Sequence, residues 1–318
     1  MKRREFLMSS AAVVGGQLFE SALVAQPGKV HEGTGRTYQV LGVPLRAGSL
    51  LPGNENDAQA YRDAELIKHL REAGCTAIDA GDVMIPSYLP HHSIPPIRSW
   101  PAPRIAWECV GERIAPILQQ PGQVPLLIGC DCSVVLGTAG ALMRDSSKEL
   151  HVLYVDGDFD DAAPEASRCQ SAASCAVWLL TNPSPFWVGP ALEPSKVSVI
   201  GWSNASKSVQ QGVGSVSLAE LRRAGAREAA QKVLASIPAS AQLLLHFDID
   251  VLSKADLPAA YFPHGEGMSL SEAGQLLGVL LKDPRVRVIE VSEYAALRDL
   301  DQSNIAKLVD LLAKALAE

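Results

Sequence analysis

Aromatic residues make up only 5% of this 318-residue sequence, cysteines number six, and the 28 Lys and Arg are outnumbered by 35 Asp and Glu. Each shortage excludes something. With a formal net charge of −7 the chain lacks the basic footprint of a nucleic-acid binder, and it has few rings on which bases would stack, so nucleic acid is set aside as a partner. Six cysteines (Cys75, Cys109, Cys130, Cys132, Cys169 and Cys175) are too few for a disulfide scaffold at this length. Beyond the first residues, no segment reaches the roughly 18 uninterrupted apolar residues of a membrane span. What the chain does have is a 47% hydrophobic share beside 20% charged residues, the composition of a globular protein with ample material for a core.

The first 26 residues, MKRREFLMSSAAVVGGQLFESALVAQ, join a basic start (Lys2, Arg3, Arg4) to an apolar segment that is uncharged from Leu7 to Phe19. This is the pattern of an export signal. The paired arginines followed by Glu5, Phe6 and Leu7 mark it as the twin-arginine type, so residues 1–25 are expected to engage the twin-arginine export machinery and direct the protein to the periplasm or beyond. Leu23 stands where a cleavage site prefers a small residue, which leaves an uncleaved anchor open. In an oxidising compartment Cys169 and Cys175, close together in one polar loop, are the pair to consider for a disulfide.

From residue 26 to 318 short apolar runs alternate with helical patterns: VPLLIGC, SVVLGTAGALMRD, HVLYVD, KVSVIGW, LAELRRAGAREAAQKVLASI, AQLLLHFDID, SLSEAGQLLGVLLKD, VRVIEVSEY and SNIAKLVDLLAKALAE. The strands are almost wholly apolar, as in a sheet covered on both faces. Alternation of strand and helix predicts a single α/β domain, its central sheet mostly parallel, with helices on both faces. The proline-rich MIPSYLPHHSIPPIRSWPAP reads as a surface loop, with His91 and His92 solvated.

Three acidic clusters fall at the ends of predicted strands, where open α/β sheets bind their ligands. LLIGCDCS places Asp131 and Cys132 between a strand and a helix. HVLYVDGDFDD ends with Asp156, Asp158 and Asp160 at alternate positions, and LLLHFDID ends with His246, Asp248 and Asp250. If the extended backbone continues, each set points to one side of its strand. Carboxylates gathered this way repel one another and lose hydration, so a hard divalent cation is the expected counter-charge.

The order and spacing of these stretches resemble the ureohydrolase family of arginases, agmatinases and formiminoglutamases, whose motifs read GGDHS, DAHxD and SFDxDxxDP. Here they stand as Gly129-Cys130-Asp131-Cys132-Ser133, Asp156-Gly157-Asp158-Phe159-Asp160 and His246-Phe247-Asp248-Ile249-Asp250. The likeness covers nearly all the chain after the leader, and a branch with Cys in place of the first-motif His is closer still. The resemblance implies a three-layer α/β fold, two manganese ions bridging a hydroxide, and attack on a guanidinium or amidine carbon. It implies metal ligands at Cys132, Asp156, Asp158, Asp160, Asp248 and Asp250, and a substrate-binding carboxylate at Glu290, which would face a cationic guanidinium or amine; Asp160 and His264 are the candidates for catalytic roles. A small-molecule substrate and assembly into a homo-oligomer are the expected partners.

Two departures bear on the chemistry. Cys132 and Asp158 stand where the family has histidines, so four Asp charges against two divalent ions become five, or six with a thiolate. A protonated ligand, a single ion, or zinc in place of manganese is then open. The family's usual loop histidine is also missing from CQSAASCAV, and His264 in YFPHGEGMS is the candidate to stand in for it. The expected function is an exported metal-dependent hydrolase of a C–N bond in a small guanidino, amidino or amide compound. The alternatives are a noncatalytic metal- or ligand-binding relative, and metal-free nucleophilic catalysis by Cys132. Replacing Arg3 and Arg4 with Lys is expected to leave precursor in the cytoplasm, measured by cell fractionation; normal periplasmic accumulation would remove the assignment.

Overall fold

Eight strands, every pairing parallel, form one sheet in the order β2-β1-β3-β8-β7-β4-β5-β6. They are Thr37–Gly42 (β1), Thr76–Asp82 (β2), Gln123–Cys130 (β3), Leu150–Val155 (β4), Val197–Ile200 (β5), Gly214–Val216 (β6), Gln242–Asp248 (β7) and Val286–Ser292 (β8). The computed structural model describes residues 35–44, 47–49, 57–145, 147–187, 189–203 and 210–317, so the expected export signal lies outside the described residues. Helices run over Asp57–Asp63 (α1), Leu66–Glu72 (α2), Ala102–Leu118 (α3), Val135–Asp145 (α4), Ala176–Thr181 (α5), Leu218–Ala224 (α6), Ala226–Ser236 (α7), Leu270–Leu280 (α8) and Ser303–Ala317 (α9). None is long and apolar enough to cross a membrane.

Alternation along each strand explains why the sheet is buried on both sides. In β7, Leu243, Leu245 and Phe247 enter one core with Leu153, Val155 and Ile289, under α1, α2 and α6 to α9. Leu244 enters the other, with Leu127, Val152 and Val288, under α3, α4 and α5. This is the three-layer α/β arrangement expected from the sequence, and the sheet is wholly rather than mostly parallel.

Local signals set the element boundaries. Ser217 with Glu220 and Ser269 with Glu272 form reciprocal capping boxes that start α6 and α8, satisfying N–H groups that the first turn leaves without partners. LAELRRAGAREAAQKVLASI, which reads as one helical pattern, divides at Gly225, whose φ of +92° ends α6. The edge strands are harder to read: β6 is three residues long, and β2 is largely solvated on both faces. In the proline-rich loop His92 is not simply solvated, because its ring bridges the Ile94 N–H and the Trp100 carbonyl. All six cysteines are free, so Cys169 and Cys175 are not paired; Cys175 is packed into the core at the start of α5, and burial pushes its thiol up to about 12.

The carboxyl end of β3 depends on Gly129. Its φ is +73°, and a Cβ there would stand 2.4 Å from the backbone nitrogen of Ala58 in α1. Gly129→Ala is expected to destabilise the protein by about 3 kcal/mol, combining left-handed strain with overpacking. That corresponds to a fall in melting temperature on the order of 10 °C in thermal unfolding followed by circular dichroism.

Candidate metal centre

All strands point the same way, so their carboxyl ends share one edge of the sheet, and each acidic cluster leaves the sheet there. The carboxylates do not converge through extended backbone as the spacing suggests. β4 stops at Val155, Asp156 Oδ1 accepts the Asp158 N–H at 2.6 Å, and Asp160 has φ +48°. Likewise β7 stops at Asp248, whose Oδ1 accepts the Asp250 N–H at 2.7 Å and starts a 3-10 turn over Ile249–Val251. Each first aspartate thus uses one oxygen to fold the chain and keeps the other for the centre. Asp131 is an entirely structural member of its motif: its oxygens take the N–H groups of Ser133 and Gly48, capping the turn that presents Cys132.

The side chains fall into two groups whose ligand atoms lie within 4.8 Å of one another. An inner, buried group holds Cys132, Asp156, His246 and Asp248; an outer, partly solvated group holds Asp158, Asp250 and His264. Five of the six expected metal ligands are therefore brought together, with two histidines added. Asp160 is in neither group, its Oδ2 accepting the Tyr154 hydroxyl at 2.7 Å. His264 Nε2 lies 3.3 Å from Asp158 and 3.6 Å from Asp250. Its approach requires Gly157, where a Cβ would meet His264 Cδ2 at 2.6 Å.

Without an ion the cluster is electrostatically unfavourable. Burial, reinforced by neighbouring carboxylates, holds Asp156, Asp160 and Asp248 well above the usual carboxylate range and raises Asp250. Burial beside Asp248 keeps Cys132 a thiol, and that thiol donates to Asp248 Oδ2 at 2.7 Å. The pairing with Asp158 and Asp250 pushes His264 up to about 10. Two buried atoms are left over. Asp156 Oδ2 and His264 Nε2 have no hydrogen-bond partner, the latter lying at ion-pair distance from its carboxylates but off the hydrogen-bond direction. Carboxylate oxygens, one of them unspent, beside an imidazole that becomes a donor on giving up its proton fit a divalent cation, and the thiol on the inner side shifts preference toward a borderline-soft one.

Glu290 is not placed as the resemblance implies. It has no exposed surface; Oε1 accepts the Thr138 hydroxyl, and Oε2 lies 2.7 Å from His246 Nδ1. The cause is register: His246 and Glu290 are paired residues of β7 and β8, so their side chains leave the same face and meet. Glu293, the residue directly after β8 and at φ +64°, instead turns its Oε1 toward the Cys132 backbone N–H at 3.4 Å. Tyr154, Thr138, Ser292 and Glu293 were not singled out as site residues by sequence reasoning; the available signal was polar residues at core-facing positions of otherwise apolar elements.

Residues 36–317 match the family model described as "Arginase family". The chain belongs to the Arginase family. It is 24% identical over 296 residues to an arginase of Agrobacterium fabrum, covering 88% of this chain and 90% of that one. The fold matches the native structure of Bacillus caldovelox arginase with a TM-score of 0.79 at 20% identity, covering 89% of this chain and 99% of that one. It also matches a Trypanosoma cruzi formiminoglutamase solved with Mn2+, with a TM-score of 0.70 at 18% identity over 88% and 92% of the two chains. Within this family fold the inner and outer groups sit where the three sequence motifs converge.

The sign of the pH dependence follows from these shifts. Groups whose folded pKa is raised bind protons more tightly when folded, so their stabilisation is present at low pH and lost as pH rises. For the aspartates the loss begins above about 3.8, the unfolded value, and for His264 it runs from 6.5 through about 10. A metal competes with those protons. The rise in melting temperature caused by Mn2+ or Zn2+ is therefore expected to be larger at pH 8 than at pH 5.5 in differential scanning fluorimetry. An equal rise at both pH values would show that these carboxylates are not the ligands.

Proposed function

We propose that this Arginase-family chain is an exported metal-dependent hydrolase of a carbon–nitrogen bond in a small guanidino, amidino or amide compound. The observation that carries the reading is the pair of adjoining donor groups at the strand ends, with Asp156 Oδ2 buried and unspent between like charges. Cys132, Asp156 and Asp248 would hold an ion on the inner side, and Asp158, Asp250 and His264 would hold one on the outer side. A divalent ion bound there supplies Lewis acidity and neutralises developing negative charge. Manganese suits the carboxylates and zinc the thiol, and a single ion is compatible with the extra negative charge.

The chain's own groups divide the remaining work. Asp160 stands outside both groups, and burial raises its pKa toward the range useful for proton transfer. Its Oδ2 is oriented by the Tyr154 hydroxyl. Asp158 and His264, on the partly exposed side, line the approach for a small molecule. A second reading, a noncatalytic metal- or ligand-binding protein, is favoured by one observation: Glu290 is closed off by His246 and Thr138.

A panel of guanidines, amidines and amides, tested on protein loaded with Mn2+ or Zn2+, separates the two. Turnover is expected. Asp160→Asn should lower it by about 100-fold or more while leaving metal content unchanged, and Asp156→Asn should lose both metal and turnover. Metal-loaded wild type with no turnover across the panel would favour the noncatalytic reading.

A further inference from the structure

His246 carries the feature that the proposed reaction leaves unexplained. On the face of the sheet under α4, Tyr154, His246 and Glu290 form a row across β4, β7 and β8, each paired with the next in register. The imidazole stacks on the Tyr154 ring with centroids 4.4 Å apart and planes 11° from parallel. Its Nδ1 meets Glu290 Oε2 at 2.7 Å, and its Nε2 meets Ser292 Oγ at 3.1 Å. Thr138 holds the other Glu290 oxygen. His246 and Glu290 are fully buried, and the ring adjoins Cys132, Asp156 and Asp248.

An imidazole is a planar N–C–N unit, the same unit that a guanidinium or amidinium presents edge-on to a carboxylate. Glu290 Oε2 therefore already holds one nitrogen of such a unit that belongs to the chain, the other nitrogen going to Ser292. The neighbouring carboxylates are engaged as well. Asp160 takes the Tyr154 hydroxyl, Glu293 lies against Cys132, and Asp156, Asp158, Asp248 and Asp250 belong to the two donor groups that would hold metal. A cationic group seated at Glu290 would have to displace His246 and leave a buried imidazole unsatisfied.

We propose that His246 determines specificity by filling the guanidinium seat at Glu290 from within, so that the substrates are neutral carboxamide-type compounds rather than guanidinium or amidinium cations. This rests on the hydrolase reading above. It makes Glu290, Thr138 and Ser292 positioning residues for the ring rather than contacts for substrate.

His246→Ala opens the seat. Calorimetric titrations of metal-loaded protein with methylguanidinium chloride and with imidazole are expected to show no saturable binding at Glu290 in wild type. The variant should bind both at least tenfold more tightly, and a further Glu290→Gln change should abolish the gain. A folded variant that binds neither probe overturns the proposal, as does Glu290-dependent binding of methylguanidinium by wild type. Loss of metal from the variant would make the imidazole a metal ligand and also overturn it. Should the variant not fold, wild type decides through matched ω-guanidino and ω-carboxamide acids: at least tenfold preference for the carboxamide supports the proposal, and preference for the guanidino acid or equal use of the two overturns it. If wild type turns over neither, the hydrolase reading fails while the titrations still decide what occupies the Glu290 seat.

Discussion

Carboxylates removed from water need an opposite charge or a proton, and in this protein that requirement is concentrated at one edge of one sheet. Asp156, Asp248 and Asp250 are nearly or fully buried, and the backbone satisfies only part of each. Parallel pairing creates the problem, because it delivers three motifs from separate strands to the same place. The turns after β4 and β7 then fix how much of each carboxylate is spent on folding and how much is left for an ion. Protonation relieves the charge at low pH, as the thiol of Cys132 and the raised aspartates show, and a cation does so at higher pH.

The histidines alter the charge argument made from sequence alone. Counting only the motif positions, five aspartates face two divalent ions. With His264 in the outer group, an imidazole returns to the centre from a distant loop, through the gap left by Gly157. His246 returns another on the inner side, although its ring is committed to Glu290 and Ser292. The substitutions at positions 132 and 158 are thus accompanied by two imidazoles, His246 within the third motif and His264 from a loop outside all three.

Much of this was legible in the sequence. Apolar strand runs showed a sheet covered on both faces, and the three motifs located the centre, because alternation and burial are local properties. The side chains that meet across strands were less accessible. His246 was visible as a core-facing polar residue, but its partner depends on β7 lying beside β8 in a register that aligns residues 246 and 290. Strand order is a long-range property with no local signature. The same reason explains Glu290: its place in EVSEY suggested a strand-end carboxylate open to a ligand, whereas the neighbouring strand had already supplied its partner. The edge strand β6 was missed because three residues, two half-buried and one exposed, carry almost no pattern.

The common direction of the eight strands also divides the molecule's two edges by duty. β1 begins at the amino edge, where the Arg36 guanidinium holds the carbonyls of Leu281 and Asp283 just before β8. The first described strand therefore starts on the side opposite the acidic centre. The acidic centre lies at the carboxyl edge, and the contacts that tie the start of β1 to the turn before β8 lie at the amino edge, so substitutions in one set leave the other in place.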